Sequence, residues 1–258
     1  MRITALIENT SVHPKCRAEH GLSLYVETGG RKILFDMGQS ELLLSNAQAL
    51  GVELSRVDIA VLSHGHYDHG GGLSAFLRVN RHAPVFLSDL AFGDHYNGFE
   101  KYIGLDQRLR EEPRLVFVNG DRQIGEGLTL SCARAEDRAD LRGSAGLNLR
   151  TEEGWRQDPF LHEQYLLVEE AGRRILFSGC SHRGILEIVD RFRPDVLIGG
   201  FHLSKMPTDE ALSELGQRLN AYPTVYYTCH CTGEAQFAHL KGEIQQLHYL
   251  SCGESVTV

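Results

Sequence analysis

Short apolar runs, closed by glycine, proline or a charged turn, recur along the whole chain and govern its secondary structure. Residues 3–8, 22–28 and 32–35 read as strands, the last two joined by a hairpin turn at Gly29 and Gly30. Leu43, Leu44, Ala47 and Leu50 recur at helical spacing over residues 41–50, and Gly51 is placed to stop that helix. Residues 58–63 form a nearly unbroken apolar strand of the kind covered on both faces. A helix over 73–80 and a strand over 84–88 follow, then strands over 114–118 and 128–132. Beyond residue 165 the pattern gives strands at 165–170, 174–178, 195–198 and 224–228, with 256–258 as an edge strand. Helices fall between them at 184–192, 208–222 and 232–246; Thr208 ahead of Asp209 and Glu210 is a helix start with acids in the first turn.

Two stretches, 89–113 and 134–163, show no period. They carry Phe92, His95, Tyr96, Phe99 and Tyr102, then Trp155 and Phe160, which a disordered segment would rarely hold, so both are expected to be pocket-shaping lids. The second is rich in arginine, at 134, 138, 142, 150 and 156, which could meet a phosphate or simply form a solvated face.

One segment is used twice. Residues 24–35 and 166–177 match at eight of twelve positions with an offset of 142, and each leads through a helix into an apolar strand. A hairpin–helix–strand unit laid down twice predicts two sheet halves packed face to face with helices outside. Residues 1–258 are expected to form a single such α/β domain.

Composition narrows the function. The chain has 258 residues, 42% hydrophobic and 23% charged, which suits a globular protein. A net charge of −8 argues against general nucleic-acid binding, which needs a basic face. The N-terminus has no basic-then-apolar leader, and no apolar run reaches spanning length, so no membrane partner is expected. The six cysteines (16, 132, 180, 229, 231, 252) show no C-x-x-C pair and read as reduced thiols of a cytoplasmic protein. A homo-oligomer is compatible with all of this.

Thirteen histidines are many, and their placement carries the chemistry. His64, His66, Asp68 and His69 stand within six positions, between an apolar strand and the glycines at 70–72. On an extended strand end His64 and His66 share a face, and the glycines would let the backbone bend so that Asp68 and His69 face a second position. Imidazole and carboxylate are ligands for divalent metals. Other polar residues also end strands: Asp36, Cys180 and His182, His202, and Cys229, His230 and Cys231. Strand ends in such sheets collect ligand sites. Asp36 is expected to support a ligand from behind, and Cys229 and Cys231, alternating with His230, to be small core residues. Glu8, Glu19 and His20 are expected to line the pocket, with Glu19 and His20 contacting substrate. His13, His82, His239 and His248 are left as surface or structural.

The words H-x-H-x-D-H (His64 to His69), Asp36-Met-Gly38, Glu19-His-Gly-Leu-Ser23, Ser178-Gly-Cys-Ser-His182, Gly199-Gly-Phe-His202 and Thr228-Cys-His-Cys-Thr-Gly233 resemble the metallo-β-lactamase superfamily. Within it they are most similar to the subgroup typified by an archaeal dihydropterin ribofuranosylaminobenzene 5′-phosphate synthase. The resemblance implies a four-layer αββα sandwich with one or two divalent metal ions, zinc first and iron or manganese as alternatives. It implies His64 and His66 at the first metal, Asp68 and His69 at the second, with His182 and His230 completing the two spheres. His162 is the rival to His182. Cys180 stands where the superfamily's hydrolases carry a bridging aspartate, which puts the bridge in doubt.

The expected chemistry is hydrolysis of a small anionic substrate, phosphorylated or ester, by metal-activated water, with Asp68 handling the water's proton and His202 protonating the leaving group. The alternatives are a synthase-like transfer to a pterin and a metal-binding sensor that has lost turnover.

Overall fold

Side chains alternate across a strand, so each central strand can serve two layers at once. In the computed structural model, which describes residues 1–258, Ile33 and Phe35 face a core shared with the opposite sheet while Leu34 faces the helices outside. The repeat does the same, with Ile175 and Phe177 turned inward and Leu176 outward. The duplicated letters therefore encode a duplicated burial pattern.

The first part of the chain lays down β1 (Arg2–Ile7), β2 (Ser23–Thr28), β3 (Arg31–Phe35), β4 (Ile59–Val61) and β5 (Val85–Ser88). The middle adds β6 (Asp94–Asn97), β7 (Lys101–Tyr102), β8 (Leu115–Val118), β9 (Asp121–Gly125), β10 (Leu128–Cys132), β11 (Leu147–Thr151) and β12 (Gly154–Gln157). The rest supplies β13 (Gln164–Glu170), β14 (Arg173–Ser178), β15 (Val196–Gly199), β16 (Val225–Thr228), β17 (Leu247–Tyr249) and β18 (Ser255–Thr257). The helices are α1 (Leu42–Ala49), α2 (Tyr67–Gly70), α3 (Leu73–Val79), α4 (Ile185–Phe192), α5 (Glu210–Asn220) and α6 (Glu234–Leu240).

Two seven-stranded sheets result, in the orders β18-β1-β2-β3-β4-β5-β8 and β9-β10-β13-β14-β15-β16-β17. Each is a hairpin with two antiparallel strands on one side and three parallel strands on the other. The sheets share one core, and Phe35 and Phe177, at equivalent positions of the repeat, meet across it with ring centres 5.6 Å apart. Leu43, Ala47 and Phe76 pack α1 and α3 onto the first sheet; Ile188, Leu212 and Leu240 pack α4, α5 and α6 onto the second. This is the expected αββα sandwich.

Three local readings change. The stretches 89–113 and 134–163 are only partly irregular: β6, β7, β11 and β12 form a third sheet in the order β12-β11-β6-β7, with Leu147 opposite Asn97 and Arg150 opposite Asp94. Its central pair, β6 with β11, joins segments some fifty residues apart, and its strands are largely polar, so no local period announces them. The helix expected over 232–246 is confined to Glu234–Leu240, because His230–Thr232 forms a separate 3₁₀ turn and Gly233 has φ +85°. β9 reads Asp-Arg-Gln-Ile-Gly, too polar to be recognised as a strand without its partner β10. All six cysteines are buried and unpaired, and no helix is long and apolar enough to cross a membrane.

The Phe35–Phe177 contact sits where the two halves join. Phe177→Ala should cost about 3–5 kcal/mol, read as a lower midpoint in chemical denaturation. A change under about 1 kcal/mol would show that the halves do not depend on this contact.

Candidate metal centre

The parallel strands deliver their polar residues to one edge. β4 ends at Val61, and the chain runs on through Ser63 and His64 to His66, which starts the single turn α2. The glycines after this turn do not bend the chain. Gly71 and Gly72 keep helical φ values of −64° and −76°, and a Cβ on them would lie 2.3 Å from the Gln39 oxygen and 2.1 Å from the Met37 oxygen. They are small because the loop after β3 passes directly against them. On the other sheet, Ser181 after β14, His202 after β15 and His230 after β16 all adopt left-handed backbone, as does Asp36 after β3. Four non-glycine residues in this region around one spot mark a site whose geometry is imposed by its surroundings.

Two groups of donor atoms converge there. In the first, His64 Nε2 lies 3.1 Å from His66 Nδ1 and 3.3 Å from His182 Nε2. In the second, His69 Nε2 lies 3.1 Å from Cys180 Sγ and 3.2 Å from His230 Nε2, and an Asp68 oxygen lies 3.3 Å from His230 Nε2 and 3.9 Å from His69 Nε2. Two nitrogens bound tetrahedrally to one zinc at about 2.0–2.1 Å stand about 3.3 Å apart. The spacings are those of ligands around an ion. Cys180 sits between the groups, close to both His64 and His69.

Outward bonds decide which nitrogen faces inward. Asp36 Oδ2 receives His69 Nδ1–H at 2.6 Å and the Ser63 hydroxyl at 2.7 Å, and Ser63 Oγ in turn lies 2.8 Å from His64 Nδ1. His182 Nδ1 lies 3.0 Å from Ser144 Oγ, and His230 Nδ1 lies 2.8 Å from Asn9 Oδ1. With Nδ1 donating outward, these four rings turn the Nε2 lone pair toward the centre, which is the form that binds a metal. Burial, then the neighbouring imidazoles, pushes His64, His66 and His182 well below the usual histidine range, so they stay neutral. Burial alone would raise Asp68, but His69, His20 and His230 outweigh it and hold the carboxylate ionised. The donor set fits a divalent ion.

Several residues turn out differently from the sequence reading. Glu8 does not line a pocket: it is fully buried and accepts from the His230 backbone N–H at 2.6 Å and the Tyr249 hydroxyl at 2.8 Å. Glu163 plays the same part for the His182 N–H at 2.8 Å. Cys229 lies in the core as expected, but Cys231 does not; the left-handed turn at His230 breaks the alternation and brings Cys231 to Cys180 and His202. Glu19 accepts the Ser40 hydroxyl at 2.6 Å, with its other carboxylate oxygen beside Gly38. His20 is exposed, 3.2 Å from Asp68, at the mouth of the second group. His202 is half-buried with its ring 4.1 Å from that of His182. His162 lies behind the first group, accepting the Gly65 N–H at 2.9 Å. His13, His82, His239 and His248 lie away from these groups. Arg134, Arg142 and Arg150 pair with Asp121, Asp140 and Asp94. The sequence reading missed the role of His95 and Asp158 altogether, a buried pair 2.6 Å apart beside His66. An i, i+4 Asp158–His162 spacing was the only local signal.

Comparison with known proteins follows the same lines. The sequence profile of the metallo-beta-lactamase superfamily matches residues 17–230. The 7,8-dihydropterin-6-methyl-4-(beta-D-ribofuranosyl)-aminobenzene-5′-phosphate synthase of Methanocaldococcus jannaschii is 27% identical over 259 residues, covering 90% of this chain and 88% of its own. A second, uncharacterized protein of that organism is 29% identical over 241 residues, covering 90% of each. Among solved structures Tm1679, a metal-dependent hydrolase of the beta-lactamase superfamily, superposes with a TM-score of 0.84 at 31% identity, covering 100% of this chain and 99% of its own. The Zn(2+)-bound PqqB of Methylobacterium extorquens shares the fold, with a TM-score of 0.60 at 9% identity and full coverage of both chains.

The buried histidines predict how the metal-free protein responds to acid. An unfolded chain binds protons at these rings near pH 6.5, whereas burial keeps His64, His66, His162 and His182 neutral in the fold. Stability must therefore fall as pH drops below about 6.5, by ~1.4 kcal/mol per pH unit for each net proton. His69 opposes this: burial lowers it, Asp36 and Asp68 outweigh burial and raise it, so its contribution holds in acid and is lost as pH rises through its folded value. Four rings against one leave a net loss, and the denaturation midpoint of chelator-treated protein should be lower at pH 5.5 than at pH 7.5. An equal midpoint would contradict the buried neutral state.

Proposed function

The chain belongs to the metallo-beta-lactamase superfamily, and from that premise we propose that it is a metal-dependent hydrolase of a small anionic ester or phosphoester. The superfamily is mostly metal-dependent hydrolases and its fold implies divalent metal ions. The observation that carries the reading is the spacing of the two donor groups. His64 Nε2, His66 Nδ1 and His182 Nε2 would hold one ion, and Asp68, His69 and His230 a second, with Cys180 between them in place of a bridging carboxylate. Imidazole with thiolate favours zinc over harder ions. A bound divalent ion supplies Lewis acidity and a water acidified to near neutrality.

The chain's own residues do the rest. Asp68 takes or orients the proton of the attacking water, and His202 returns one to the leaving group. A cavity of about 590 Å³ runs from His182 and His202 over Leu203 and Met206 to a rim holding Arg138, Lys205 and Arg218. Arg142 is engaged by Asp140, which leaves these three cations available to an anionic group. An apolar body with an anionic end suits this space.

A second reading, transfer to a pterin, draws on the Methanocaldococcus jannaschii synthase and on Phe99, in the turn between β6 and β7, and Trp155 of β12, whose exposed rings stand 5.4 Å apart.

The purified protein should hold about two zinc equivalents and turn over bis(p-nitrophenyl) phosphate or a nitrophenyl ester. His64→Ala and His66→Ala should each lose zinc and activity together. Turnover confined to a dihydropterin substrate with its ribosyl partner would favour transfer, and full occupancy without any turnover would overturn both enzymatic readings. Arg218→Ala should raise KM for anionic substrates about tenfold and leave neutral esters unaffected.

A further inference from the structure

Three buried ring nitrogens, Nε2 of His66, His95 and His162, have no hydrogen-bond partner. With Asp158 these residues form one cluster, all of them more than nine-tenths buried, with ligand-type atoms within 4.8 Å of one another. His95 lies on β6 and Asp158 just beyond β12, so the third sheet supplies half of the cluster, while His66 comes from the histidine motif and His162 from the loop ahead of β13. Buried polar atoms left unpaired call for an explanation.

The surrounding bonds say which atoms donate. His95 Nδ1 lies 2.6 Å from Asp158 Oδ2, so His95 carries its proton on Nδ1 and offers Nε2 as an acceptor. His162 Nδ1 accepts the Gly65 N–H, which places its proton on Nε2, 3.3 Å from Asp158 Oδ2. Asp158 Oδ1 accepts the Phe160 N–H at 2.8 Å. His66 turns Nδ1 toward His64, and with a metal ion held on Nδ1 the ring carries its proton on Nε2. Two of the three imidazoles thus present protons, not lone pairs, which argues against a further cation here. The unpartnered acceptor in this cluster is His95 Nε2. The His66 and His95 rings stand 5.8 Å apart at 73°, within about 1 Å of the separation one N–H···N bond gives.

We propose that His95 and Asp158 are positioning residues for His66: when metal sits on His66 Nδ1, the opposite N–H closes on His95 Nε2, and metal occupancy and seating of the third sheet reinforce each other. Ligand histidines are held in this way by a partner on their other nitrogen, and the coupling acts equally in both directions. The inference rests on the assignment of His66 as a metal ligand.

Asp158→Asn tests the effect, and its rescue through His95 separates it from the change that the same amide makes beside His162 Nε2. The amide oxygen still serves the Phe160 N–H while its NH₂ faces His95 Nδ1, which moves the His95 proton to Nε2 and sets donor against donor at His66. Zn²⁺ affinity, by competition with a chromophoric chelator, should fall about tenfold to a hundredfold, and the visible absorption of the Co²⁺-loaded protein should change. Adding His95→Gln, whose side-chain oxygen accepts whatever stands at 158, should restore most of the affinity. Zn²⁺ should slow amide exchange over Asp94–Asn97 and Leu147–Thr151 in the unaltered protein and not in Asp158→Asn. Unaltered affinity and exchange in Asp158→Asn, or a third zinc equivalent lost with His95→Ala, would overturn the proposal. A native chain that takes up no Zn²⁺ would instead overturn the metal assignment beneath it.

Discussion

A fully buried carboxylate at Asp36 receives three hydrogen bonds, from the Ser63 N–H and hydroxyl at 2.7 Å each and from His69 Nδ1 at 2.6 Å. A charge withdrawn from water this completely is tolerable only when its oxygens are occupied, so these contacts are obligatory. They also orient the centre. His69 is aimed directly and His64 through Ser63, one ring for each donor group, from one residue at the end of β3. Its left-handed backbone, φ 60°, is the local strain that such a network sustains.

Two further buried carboxylates work on the backbone. Glu8 binds the N–H of His230, and Glu163 binds the N–H of His182, which follows the left-handed Ser181. Each clamps an abrupt turn at a strand end and so sets where an imidazole points. The three acids come from different elements, two beside the first sheet and one beside the second, so the centre forms only when the sheets are stacked. Fold and site are in this sense one event, and the inter-sheet packing around Phe35 and Phe177 holds the donor groups at ion-binding distance.

The third sheet extends that dependence beyond the two stacked sheets. It brings His95 and Asp158 behind His66, and Ser144, in the same part of the chain, reaches His182 Nδ1 at 3.0 Å. Residues far from one another thereby back both ends of the first donor group. The cationic rim of the cavity comes from the segment around Arg138 and from the loop and helix bearing Lys205 and Arg218, and Ser144 and His182 line the same cavity.

The amino-acid sequence alone determined what depends on neighbours along the chain: the hairpins, the duplicated unit, the two layers each strand must serve, and the density of donors from His64 to His69. It also pointed to strand ends as the meeting place, because polar residues close apolar runs there. Only the tertiary structure decided what depends on partners remote in the chain. Cys231 was assigned to the core because strand alternation was extended past His230, where the backbone becomes left-handed and alternation ends. The third sheet was invisible because its strands are largely polar and its two hairpins are joined only by β6 and β11, some fifty residues apart. The pairing of His95 with Asp158 carried no signal of its own: a hydrogen bond between distant segments leaves no period in either, and its existence is settled only when folding brings donor and acceptor into a space without water.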